Sequence, residues 1–166
     1  MIPFASGINP ITLTTAVGLA DTGGLIGFGS SVDSVSIAGG TIIIDAIVGN
    51  FAFVVPRVGT ITAISAFFSA TAGLITSEEV TVRAQIWRST TANSSTFTPI
   101  AGAFVDLAPE YTTGIVPPGT NAFVTNLVSI PLNAGDKLLL VFSLVDSGLL
   151  VVDSLTGVAS AGIVIN

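Results

Sequence analysis

Cysteine and histidine are both absent from the 166 residues. Disulfides, thiol nucleophiles, zinc fingers and imidazole acid–base chemistry are therefore excluded. Charge is scarce: Asp, Glu, Lys and Arg make up 8% of the chain, against about 25% in ordinary globular domains. Only Arg57, Arg83, Arg88 and Lys137 are basic, and the net charge is −6. Nucleic acid needs a basic face, which four scattered cations in an acidic chain do not make. No uninterrupted apolar run approaches the roughly 18 residues of a membrane-spanning helix. The longest candidate, residues 138–145, already contains Ser143, and residues 41–55 are broken by Asp45, Gly49 and Asn50. Met1 is followed by IPFASG, without the basic region of a secretion signal.

What the chain has instead is apolar and small. Apolar residues are 50% of it, and 18 glycines come on top; ordinary domains reach about 45–50% with glycine included. A chain of this length is about one domain and can bury a core without staples. It cannot hide this much apolar surface alone. With lipid disfavoured, the surplus is expected to face other copies of the same chain.

Helix formers are few, while Gly, Thr, Val, Ile and Phe recur between Gly/Pro/Asn/Asp/Ser punctuation. That pattern predicts an all-β sandwich or barrel. Strands are expected at 2–5, 11–15, 41–45, 51–55, 60–70, 79–88, 104–107, 122–131, 137–145 and 155–165. No linker divides them, so residues 1–166 are read as one domain, in which residues 1–24 could form an extended N-terminal arm. Gly23-Gly24 and Gly39-Gly40 mark turns or places of close backbone approach. Pro56-Arg57-Val58-Gly59 is read as a tight turn joining 51–55 to 60–70 in a hairpin.

The alternation at 79–88 puts Val80, Val82, Ala84 and Ile86 on a core face and Glu79, Thr81, Arg83, Gln85 and Trp87 on the outer one. Two other strands are apolar on both faces. In 137–145 one face is Leu138, Leu140, Phe142 and Leu144; the other is Leu139, Val141, Ser143 and Val145. Residues 51–55 share the property. A sandwich strand needs only one dry face, so the second is expected to meet a partner subunit. The candidate interface is Phe51, Phe53, Val55, Leu138, Leu140, Phe142 and Leu144. Trp87 joins it, because subunit interfaces are rich in Trp, with a sugar-binding platform as the other option. Gly157, Ala159, Ala161 and Gly162 would either fill a tight core layer or line a symmetry axis.

The motifs IPFASG at the start, LIGFGSS at 25–31, FAFVVPRVGTITAISAFFS, STFTPIAGA at 95–103, IPLNAGDKLLLVFS at 130–143 and GVASAGIVIN at the end resemble, in order and over nearly the whole chain, the C-terminal domain of BclB-type exosporium glycoproteins. The resemblance implies an antiparallel jelly-roll β-sandwich of the C1q/TNF-like kind, assembled as a homotrimer. It implies a structural head that holds three collagen-like chains in register on the spore surface, an exosporium or extracellular location, and contacts with other exosporium proteins. The alternative is a trimeric head that binds carbohydrate or a host surface protein, for which Trp87, Tyr111 and Phe97 are the candidate aromatics. No Gly-X-Y run is present, although a triple helix needs Gly at every third position.

No catalytic role is expected. Serines have no histidine to activate them. Glu78 and Glu79 are adjacent, so on a strand they point to opposite faces. Gly27-Phe28-Gly29-Ser30-Ser31 lacks the third glycine and helix of a dinucleotide site. Some C1q-like heads bind calcium, yet the Asp residues show no D-x-D-x-D spacing and fall at turns. No metal or cofactor is expected. Lys137 is read in a solvated ion pair beside Asp136, Arg83 as pairing with Glu79 or a neighbour's carboxylate, and Asn93-Ser94-Ser95 as a polar loop despite its glycosylation pattern.

Overall fold

A computed structural model describes residues 1–17, 19–45, 50–91, 93–146 and 152–166, with the side chains of Glu78 and Asp146 outside that description. The adjacent Glu78 and Glu79, read as pointing to opposite faces, and the break at Gly49 therefore lie partly outside the described residues. What is described is strand and turn, with no helix. In chain order the strands are β1 (Ile2–Ala5), β2 (Ile11–Ala16), β3 (Leu19–Ile26), β4 (Ser31–Ser36), β5 (Ile42–Ile43) and β6 (Phe53–Val54). They continue with β7 (Gly59–Ser89), β8 (Thr96–Asp106), β9 (Tyr111–Val116), β10 (Asn121–Leu132), β11 (Lys137–Asp146) and β12 (Ser154–Ile165).

The strands pair antiparallel into a barrel-like closed sheet, as the strand-rich composition led one to expect. Strand β7 is long enough to serve two walls. Its first part, residues 59–69, lies between β10 and β12, and residues 73–80 pair with β9. Its second part, residues 80–89, lies between β11 and β8. From β12 the circuit runs through β2, β3 and β11 back to β7. One wall is thus β1–β12–β7–β10 and the other β4–β3–β11–β7–β8. Residues 1–24 do not stand off as an arm. They supply β1 and β2, both paired to β12, and most of β3.

The main core fills the space between the walls. Val80, Val82, Ala84 and Ile86 all point into it, as their alternation requires. Phe68 meets Tyr111 edge-on at 6.4 Å and Phe142 at 6.3 Å between ring centroids. Packing is close enough to exclude side chains where backbones meet. A Cβ on Gly157 would stand 2.3 Å from the Ser69 carbonyl and 2.6 Å from the Phe68 ring, and one on Gly24 would stand 2.6 Å from Ile11. Gly23 and Gly24 are therefore points of close approach within β3, not a turn.

The hairpin expected at Pro56–Gly59 does not form. Strand β6 pairs with β11, setting Phe53 opposite Leu138 and Val54 opposite Lys137. Pro56, Arg57 and Val58 are an exposed connection between walls. Arg57 donates to the Val58 carbonyl at 3.2 Å.

A second cluster explains the doubly apolar strands. Leu25, Val35, Ile37, Ile42, Trp87, Phe97, Leu139 and Val141 pack on the outer side of the β3–β11–β7 wall, with Ile44, Phe51 and Ala52 against them. Leu138, Leu140, Phe142 and Leu144 face the main core instead. Both faces of β11 are dry because the chain covers both itself. The expectation that Val55, Trp87, Leu138, Leu140, Phe142 and Leu144 meet a partner is thereby corrected: each is buried in the protomer, Trp87 at 4% exposure. Phe53 is half-buried against the main core and Phe51 against the second cluster. Phe97 and Tyr111 are buried too, so none of the three candidate aromatics offers a ligand platform.

One buried charge ties three strands. The Asp153 carboxylate accepts from the backbone N–H of Thr76 at 2.6 Å and of Ser77 at 3.1 Å, and from the Thr76 hydroxyl at 3.1 Å. Its own N–H donates to Thr15 Oγ1 at 2.9 Å. Burial pushes its pKa up, but the hydrogen bonds from Thr76 and Ser77 outweigh that and hold it below the ordinary 3.8. A carboxyl with a depressed folded-state pKa adds stability above its unfolded value, and that stability is lost as pH falls through the folded value. Asp153→Asn should therefore destabilise the protein at neutral pH. The gap to wild type in thermal unfolding should close as pH drops below 3.8. A gap that stays constant from neutral pH into strong acid would remove this account.

Candidate assembly surface

The outer side of the β1–β12–β7–β10 wall carries part of the exposed apolar surface, including Phe67, Phe123 and Leu127. No Asp, Glu, Lys or Arg occurs in residues 1–20, 59–77, 121–132 or 154–166, which supply all four strands of this wall. Every Asp, Glu, Lys and Arg lies elsewhere in the sequence. Alternation sends Ile64, Ala66 and Phe68 of β7 inward and Ala63, Ser65 and Phe67 outward, while Ile61, beyond a register shift, also points in. On β12, Gly157, Ala159 and Ile163 point in, while Val158, Ser160, Gly162 and Val164 point out. The two options for the small residues thus divide between them. Gly157 is forced by close packing, whereas a Cβ on Gly162 would meet nothing within 4 Å.

The outward residues form rows across the wall. Phe123 of β10 stands opposite Phe67 of β7, then Ser160 of β12, then Ala5 of β1. The next row is Thr125, Ser65, Gly162 and Pro3, in which the Ser65 and Thr125 hydroxyls are 2.7 Å apart. The third is Leu127, Ala63 and Val164. Phe67, Phe123 and Leu127 are 38%, 65% and 86% exposed. A charge-free face with uncovered large apolar side chains is the usual mark of an interaction surface.

An open edge adjoins it. Strand β10 pairs only with β7, apart from a bridge between Phe123 and Ala108. No other strand is hydrogen-bonded to β10 among the described residues, although β8 runs close by and Arg88 donates to the Pro131 carbonyl at 3.2 Å. Uncharged edges of this kind template pairing with another chain unless they are covered.

Two cations border the wall: Arg57 lies by Ile2 and Ile165, and Arg88 donates to the Pro131 carbonyl of β10 at 3.2 Å. Arg83 makes a bidentate pair with Asp106 at 2.7 and 2.8 Å and stacks over Phe104 at 4.0 Å. It does not need Glu79 or a neighbour. Arg88 lies 3.5 Å from the buried Asp136, whose carboxylate also accepts from the Asn133 N–H. Lys137 donates to the Ser94 carbonyl rather than pairing with Asp136. Among the described residues no group of three or more acidic side chains could hold a metal ion, and no helix is long and apolar enough to cross a membrane.

None of the eight residues singled out from the sequence lies on the charge-free face. The signal that could have found it was the stretches without charge, not the density of apolar residues.

No protein-family model matches the chain. It is 31% identical, over 174 aligned residues, to Collagen-like protein 1 of Acanthamoeba polyphaga mimivirus. That match covers 98% of this chain and 18% of the relative, so the chain spans less than a fifth of the protein it resembles.

Proposed function

We propose, starting from this kinship with part of a collagen-like protein, that the chain is a structural trimerisation head without catalytic activity. Three copies pack through the charge-free wall and hold three collagen-type strands in register. The observation that carries the reading is that wall, with Phe67, Phe123 and Leu127 uncovered beside the open edge of β10.

The kinship and symmetry together support the number three. A contact between the face of one copy and the edge of the next is heterologous, and such contacts close into rings or run on as filaments. A collagen triple helix winds three chains, so a ring of three is the closure that serves one. The wall orders β1–β12–β7–β10 and β4–β3–β11–β7–β8 support reading the barrel as a jelly roll. The resemblance to BclB-type heads supports placing the assembly on an outer surface, the exosporium of a spore, among other proteins of that layer.

The test is the mass in solution. Light scattering at micromolar concentration should give three times the chain's 16.7 kDa. A stable monomer, or a dimer, would sink the proposal.

A further inference from the structure

We propose that a cleft on the layer covering the opposite wall binds an acidic monosaccharide, a uronate. The cleft measures about 250 Å³ and is lined by Ile44, Asn50 and Ala52 on one side and the loop from Asn93 to Ser95 on the other. Phe97 and Lys137 complete it. Pockets for drug-sized ligands run to about 300–1,000 Å³, so this one suits a single sugar ring.

Its polar groups are donors held in place. Lys137 opens β11, with Val54 of β6 on one side and Ser89 of β7 on the other. Its ammonium donates to the Ser94 carbonyl and lies 5.6 Å from the centre of the Phe97 ring. An ammonium carries three N–H groups, so it can donate twice more. Neither ion pair among the described residues involves it. The Asn50 Oδ1 accepts from the Ala52 N–H at 3.0 Å, which orients the amide and leaves its NH₂ to donate. The Ser94 Oγ accepts from the Thr96 N–H at 3.0 Å, which leaves its hydroxyl proton to donate. An ammonium, an amide and a hydroxyl converging on one cleft fit a ligand rich in acceptors. Carboxylate to ammonium is the strongest hydrogen bond available to them. Ile44 and Ala52, both part-exposed, offer the apolar surface that the C–H face of a sugar ring needs. The chain's net charge of −6 gives no long-range attraction for anions, so recognition rests on these local groups.

The cleft uses no residue of the charge-free wall, so binding can be read whether the protein is a monomer or a trimer. The experiment is an amide NMR titration with galacturonate, glucuronate, galactose and acetate. Either uronate should shift the amides of Asn50, Ser94, Ser95 and Lys137 saturably. Galactose and acetate should each bind at least about tenfold more weakly, since each lacks half of the recognised groups. Lys137→Gln should weaken uronate binding by about tenfold or more. Ser95→Trp, which fills the cleft from an exposed position and spares Lys137, should abolish it; this variant decides the matter should Lys137→Gln not fold. Galactose or acetate binding as tightly as a uronate would overturn the proposal. So would uronate binding that survives both substitutions, or no saturable shift from either uronate.

Discussion

Leu140→Asp is expected to leave the chain unfolded, not merely unassembled. Leu140 has no exposed surface. It sits at the centre of β11, opposite Ile26 of β3 on one side and Ile86 of β7 on the other, and points into the main core. An unpaired carboxylate there costs several kcal/mol in desolvation, and the lost leucine contacts add about 2–5 kcal/mol. Domains are stable by about 5–15 kcal/mol, so the sum consumes most or all of the margin. Circular dichroism at 25 °C should show no cooperative melting transition. Leu140→Ala carries only the second cost and should fold with a lowered melting temperature. If the aspartate variant kept a native spectrum as a monomer, Leu140 would be an interface residue and its place in the core would be wrong.

The two readings of Leu140 show where the sequence stops being legible. Composition tells that both faces of β11 are dry; it does not tell what dries them. The residues that cover Leu139 and Val141 come from β3, the 35–44 segment and Phe97, far apart along the chain. That convergence is a product of topology and leaves no local pattern. The alternation at Val80, Val82, Ala84 and Ile86 was legible because one face of that strand is apolar and the period alone fixes which. The missed hairpin has a similar cause. Pro56-Arg57-Val58-Gly59 has turn chemistry, but Phe53 gains more by joining the edge of β11 than by folding back on β7.

Charge pairing failed for a geometric reason. Asp136 lies in the turn before β11 and accepts from the Asn133 N–H, while Lys137 opens the strand, so the two parted, one to Arg88 and the other to Ser94. Arg83 took Asp106 because cross-strand partners are closer than residues four apart along one strand. The charge-free wall was legible in principle. Its outer residues are Ser, Thr, Gly and Ala more often than Phe or Leu, so a count of apolar residues passes over it. A map of where charge is absent does not.

Phe67→Glu combined with Phe123→Glu is expected to give a folded monomer. The two side chains face each other across β7 and β10 on the outer side of the wall. They are 38% and 65% exposed in the protomer, and the main core does not depend on them. In the monomer the new carboxylates stay in water and cost little beyond a mild cross-strand repulsion. In the trimer they would be buried without cations, because the wall has none to offer. Leaving a charge unpaired in an interface costs about 2–5 kcal/mol or more each. Two per protomer would raise the dissociation constant by several orders of magnitude. Light scattering should then read 16.7 kDa with a native circular dichroism spectrum. The melting temperature should fall, because the stabilisation by association is gone. Ile43→Glu is the control. Ile43 is 58% exposed on β5, over the opposite wall, and its substitution should leave the mass at three chains. A double variant that remains trimeric would show that the charge-free wall is not the interface. A control that dissociates would show that any added charge breaks the assembly.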